Sequence, residues 1–229
     1  MNIHKMILLT LISFGVFICL GCSSKNSNND ELNIMFCPGF SYISGSGAEK
    51  IIVASINRDN ASGYLSFPNG EKINGGTLRP SASSNYRIAE TRCFIDENAS
   101  HGLYKLSYTI AAETPAPIEK NISWPNNAPN FSSSPRYDII SDTAFTTISV
   151  TSGKLINVPE GATVKYRIKI YEYQKGGRLI ETSSEHSSPA SINTGFRGGS
   201  NYFPVLEAII VKDNSPIMVV HYVMDKLSS

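Results

Sequence analysis

The chain has few of the residues on which most active-site chemistry depends: four histidines, four cysteines and one tryptophan in 229 residues. An excess of one charge is also missing. Twenty Lys and Arg stand against 19 Asp and Glu, so no basic field exists to attract nucleic acid. The longest apolar stretch, Ile7 to Leu20, falls short of the roughly 20 residues that a membrane-spanning helix needs. Past residue 22, the motifs H-E-x-x-H, C-x-x-C and G-x-S-x-G are all absent, which removes the common signatures of zinc proteases, dithiol oxidoreductases and serine hydrolases. No stretch there holds a 3.6-residue apolar period for long, so no long amphipathic helix is expected.

What is present begins with an export signal over residues 1–21: a cationic start with His4 and Lys5, the apolar stretch, and a small residue, Gly21. Leu20-Gly21-Cys22 resembles the lipobox of bacterial lipoproteins, with Cys19 at the position where that family prefers leucine. The resemblance implies cleavage before Cys22, a diacylglycerol thioether on Cys22 and further acylation of the new amino terminus. The membrane is then a partner through that lipid, and two or three acyl chains anchor durably at about 0.8 kcal/mol per buried methylene. Ser23 follows, where the enteric sorting rule would want Asp for inner-membrane retention, so the outer membrane of a bacterial envelope is favoured. Residues 22–33 read as a disordered tether, because Ser23 to Asn29 contains nothing apolar. The rival is an ordinary secretory signal or an uncleaved anchor with Cys22 incidental. If Cys19 leaves with the signal and Cys22 carries lipid, only Cys37 and Cys93 remain. In an oxidising compartment they are expected to form a disulfide worth about 4 kcal/mol, with two buried free thiols as the alternative.

The rest of the chain predicts an all-β fold, with short alternating runs between turn signals. Strands are expected over Lys50–Arg58, Tyr64–Phe67, Asn85–Ile95, Leu103–Ala111, Ala144–Thr151, Thr163–Tyr173, Arg178–Ser183, Tyr202–Lys212 and Pro216–Asp225, with Asp213-Asn-Ser-Pro216 closing a hairpin of central strands. Five of the 12 prolines fall between Pro115 and Pro135. Proline lacks a ladder donor and restricts its neighbour, so residues 115–135 read as a linker between antiparallel β-sandwiches at 34–114 and 136–229, with Trp124 packed on one of them. One large sandwich crossed by a long loop is the alternative. Gly102-Leu-Tyr104-Lys-Leu106 resembles the tyrosine-corner strand of immunoglobulin-like domains. It departs from antibody domains in having Leu106 at the second cysteine position and no tryptophan between Cys37 and Cys93. The resemblance implies a fold and carries no function.

Candidate binding residues are sparse. Lys165, Arg167 and Lys169 alternate along one strand and would form an exposed cationic stripe for an anionic glycan, a lipid headgroup or an acidic partner, or simply guard against aggregation. Phe196-Arg-Gly-Gly-Ser-Asn-Tyr-Phe203 offers Phe196, Arg197, Tyr202 and Phe203 on a protruding loop. His221 reads as a satisfied sheet histidine within Val219 to Val223. The oxygen-bearing run from Asp96 has His101 and Ser107 where a calcium loop needs Gly and Glu, so it reads as a turn. No catalytic set, metal or cofactor is expected. The sequence therefore predicts a lipid-anchored, non-catalytic binding or structural module for a protein or glycan, with no nucleic-acid partner. Its rivals are a periplasmic inhibitor or immunity lipoprotein and, third, a glycan-acting enzyme, for which no pair of facing carboxylates is suggested.

Overall fold

A computed structural model describes residues 34–43, 48–56, 61–74, 93–94, 100–110, 112–141, 145–172, 179–196 and 202–224. The expected signal and tether, Cys22, most of the run from Asp96, and Arg197 lie outside these residues. Asn33–Ser229 form one compact unit. Its described part is all-β, with no helix and sixteen strands. The first seven are β1 (Ile34–Ile43), β2 (Ala48–Ile56), β3 (Ala61–Ser66), β4 (Lys72–Asn74), β5 (Cys93–Phe94), β6 (Gly102–Ile110) and β7 (Ile118–Ile122). The remainder are β8 (Asn130–Phe131), β9 (Arg136–Ser141), β10 (Thr146–Thr151), β11 (Leu155–Ile156), β12 (Thr163–Glu172), β13 (Leu179–Thr182), β14 (Ile192–Phe196), β15 (Tyr202–Lys212) and β16 (Ser215–Val223).

A seven-stranded sheet in the order β13-β12-β15-β16-β1-β2-β5 organises the molecule. A four-stranded sheet, β4-β3-β6-β7, a three-stranded sheet, β14-β10-β9, and the small pair β11-β8 complete it. One core joins them all, from Phe36, Phe40, Ile52, Leu65, Tyr104 and Trp124 to Ile148, Ile168, Leu206 and Val220. Alternation puts these side chains on one face of each strand. In β6, Tyr104, Leu106 and Tyr108 are buried as expected from their spacing, and Ile110 packs against them. The β15–β16 hairpin turns at Asp213 and Asn214, both at positive φ (51° and 60°), the backbone of the tight turn favoured between twisted strands.

The expected division into separate domains at 34–114 and 136–229 is corrected by strand pairing. β1 pairs antiparallel with β2 over nine positions and parallel with β16 from Gly39↔Val219 to Ile43↔Val223, so strands from both halves share one sheet. Residues 115–135 are not a free linker either. The proline-free stretch Ile118–Ile122 forms β7, an edge strand paired only with β6 among the described residues, which is where flanking prolines are tolerated. Trp124 is buried and donates its Nε1–H to Gly39 O at 3.2 Å. Further along, Pro129 and Pro135 are buried, and Pro129 O accepts from the Tyr42 hydroxyl at 2.6 Å.

β1, the strand that joins the halves, carries Pro38-Gly39, which hides it from a reading by alternation. Gly39 is required by proximity. A Cβ there would lie 2.6 Å from Val219 O, so the parallel neighbour can approach only a bare backbone.

Candidate functional site

The far face of the seven-stranded sheet is also buried, yet it is built differently. Apolar clusters lie at its two ends: Cys37, Ile51, Val53, Ile209 and Val219 at one, Tyr171, Phe203, Val205 and Val223 at the other. Between them register places Glu207 of β15 beside Arg167 of β12 and His221 of β16. Glu207 is wholly buried. Its Oε1 accepts from Arg167 Nε, and its Oε2 lies 2.9 Å from Lys169 Nζ and 2.8 Å from His221 Nε2. A carboxylate can only accept there, so the imidazole carries its proton on Nε2. Burial alone would raise the Glu207 carboxyl, but Lys169, the His221 hydrogen bond and Arg167 outweigh it and hold it well below the usual range.

The expected exposed stripe is corrected by this geometry. Lys169 is only 4% exposed, because it and Arg167 turn inward to neutralise a carboxylate that would otherwise be buried unpaired. Lys165 alone stays at the surface, paired with Glu185 at 2.8 Å. His221 is satisfied at Nε2 by Glu207, while its Nδ1 has no hydrogen-bond partner among the described residues. Ser41 lies next to His221 in the β1–β16 register, and Nδ1 does not engage its hydroxyl. A nucleophile and its base must come within hydrogen-bond reach to act together; among the described residues this cluster is an ion network in which no hydroxyl is held at the ring.

The aromatic loop is corrected too. Phe196 and Phe203 are buried at 3% and 2% exposure. Phe196 packs edge-on to Tyr202 at 4.9 Å, and Phe203 stacks on Tyr171 at 5.6 Å. Large rings at strand ends bury too much apolar area to stay in water. The expected Cys37–Cys93 disulfide is also not formed. Cys37 is a buried free thiol, and β2 stands between β1 and β5, with Cys37 opposite Val53 and Cys93 opposite Ser55. Strands two apart lie about 9.5 Å from each other, beyond the reach of a disulfide. Burial pushes the Cys37 thiol up to about 12, against the opposing pull of Lys120.

The outer face of the four-stranded sheet holds the open cluster that sequence reading missed. Tyr64 of β3 lies opposite Ser107 of β6. The Lys72 ammonium sits 5.0 Å from the Tyr64 ring centroid, within cation–π range. Lys105, on the same face, reaches Glu119 at 3.1 Å, and Leu103 beside it is 54% exposed. Ser107, opposite it in the register, then Lys72 and Lys105 hold the Tyr64 phenol below its ordinary value, and the buried Ser107 hydroxyl has no other hydrogen-bond partner among the described residues. The Tyr64 phenol ring, the Lys72 ammonium, the Lys105–Glu119 ion pair and an exposed leucine on one face suit an amphipathic partner. Only the alternation in β6 signalled this face; its assembly from three strands is tertiary. On the inner side of the same strand, the Tyr104 hydroxyl donates to Ser100 O at 2.8 Å and accepts from Ser100 N at 2.9 Å, the closure expected of a tyrosine corner.

No known family model matches this chain, and no curated protein does. Among solved structures, a marsupial T cell receptor is similar at 13% identity and a TM-score of 0.20, over 84% of this chain and 61% of that one. The chain thus spans less than two thirds of that receptor chain, and a likeness this loose places it in no family.

Proposed function

We propose that the protein is a lipid-anchored, non-catalytic binding or structural module of a bacterial envelope, tethered through Cys22 and engaging a protein or glycan through the outer face of its four-stranded sheet. The observation that carries the binding half is the Tyr64, Lys72, Lys105 and Leu103 cluster, which brings aromatic, cationic and apolar groups together on one face of the sheet. The lipobox resemblance at Leu20-Gly21-Cys22 carries the anchoring half. In this reading the fold is two immunoglobulin-like sandwiches sharing one sheet, supported by the Tyr104 corner and by the contacts of β7 with β1 and of β14 with β12 and β13. Burial of Phe196 and Phe203 removes two of the aromatics on which the inhibitor reading drew.

Two measurements test the proposal. Mass spectrometry of the mature protein is expected to find acyl chains on Cys22, and a Cys22→Ala form that still partitions fully with membranes would end the anchoring half. A photoreactive residue in place of exposed Asn121, on the four-stranded sheet, is expected to crosslink an envelope protein or glycan in intact cells. The same residue in place of exposed Asp138, on β9, is the control. No capture at position 121, or equal capture at both, would overturn the binding half.

A further inference from the structure

We infer that the molecule resists tension entering at the N-terminal end of β1, with this strand as a shear-loaded clamp. β1 is the first strand described, yet it lies inside the seven-stranded sheet with neighbours on both sides. To slide along its own axis it must break two ladders together: nine antiparallel positions with β2 and five parallel positions with β16. Because the β16 pairing is parallel, the N-terminal end of β1 and the C-terminal end of β16 lie at opposite ends of the pair. Tension between those points runs along the strands and strains every pair at once. Tension between the N-terminal ends of both strands would instead peel pairs one at a time.

Three cross-ties add to the ladders. Lys120 Nζ donates to Phe36 O at 2.9 Å, Trp124 Nε1 donates to Gly39 O, and the Tyr42 hydroxyl donates to Pro129 O. Lys120 reaches β1 at Phe36, before the β16 pairing begins at Gly39. Phe36, Phe40 and Tyr42 on one face and Cys37 on the other are buried, so sliding must also drag these side chains through packed surroundings. The source of load rests on the proposed lipid anchorage: a tether ending at Asn33 delivers membrane tension straight into β1.

The test is single-molecule pulling of the full chain at one speed in two geometries. In the first, handles are on the two chain ends. In the second, one handle is on the N-terminal end and the other on an attachment residue replacing exposed Ser215, at the N-terminal end of β16. Forced rupture reports the unfolding barrier along the pulled direction, and end-to-end pulling is expected to need a higher force than peeling. Equal or lower force end to end would overturn the clamp and leave membrane anchorage untouched. If the Ser215 form fails to fold, exposed Lys212, across the hairpin turn, provides the second attachment point. Tyr42→Phe is expected to lower the end-to-end force and leave the peeling force unchanged; an equal drop in both would count against the clamp.

Discussion

The two faces of the seven-stranded sheet are both buried, but one is apolar throughout while the other encloses Arg167, Lys169, Glu207 and His221, with Ser41 beside them, between two apolar ends. Leu206 and Glu207 are adjacent in β15 and equally buried, yet they enter these two environments. The apolar face gains free energy from area removed from water and tolerates volume-conserving change. The ionic strip gains little net energy, since desolvation offsets the Coulomb attraction, but it penalises any arrangement that leaves one member unpaired. A slip of one residue in β15 would turn Glu207 into the apolar core and Leu206 into the ion cluster. The first face supplies stability, and the second sharpens register.

The largest effect expected is from Glu207→Gln, which leaves buried Lys169 and half-buried Arg167 without their carboxylate and should cost about 3–5 kcal/mol in chemical denaturation. The pH dependence follows from the same pair of states. The folded carboxyl is held low, so its stabilisation is complete above the unfolded value near 4.3 and is lost as pH falls from there toward the folded value. The Gln variant should lack that part of the acid loss. Leu206→Ala should cost about 2–5 kcal/mol at every pH and keep the acid loss, because Glu207 is intact. A matching pH profile for the two variants would erase the distinction between the faces.

Cys37 sharpens the comparison at the apolar end of the second face. With its thiol raised to about 12, its contribution is present below the ordinary thiol value near 8.5 and is lost as pH climbs toward 12. The native protein should resist alkylation at Cys37 near pH 8 and become labelled on unfolding without reductant. Label-resistant Cys37 after unfolding would instead indicate a disulfide. The smallest effect belongs to Lys165→Ala, whose exposed pair with Glu185 should contribute no more than about 1 kcal/mol. A larger loss would show that the ionic network extends to the surface.

Much of the strand pattern was legible from the sequence. Alternation located β6 and β12 closely, and continuous apolar β-branched runs located β15 and β16, which are buried on both faces. β1 was hidden by Pro38-Gly39, and β7 by the surrounding prolines. Both strands are fixed by neighbours distant in the chain: Val219 for Gly39, and β6 for Ile118–Ile122. The candidate site was less legible still. Tyr64, Lys72 and Lys105 come from three strands, and their meeting depends on register, which no local pattern specifies.

By itself, the sequence determined the β character and the near-neutral charge, since each follows from composition or period. The tertiary structure alone decided that the halves share a sheet, that Lys169 and Arg167 face inward to Glu207, and that Cys37 stands one strand too far from Cys93. Those outcomes depend on which strands become neighbours. Side-chain fate across a sheet is set by pairing partners far apart in the chain, whereas alternation fixes only which side of its own strand a residue occupies.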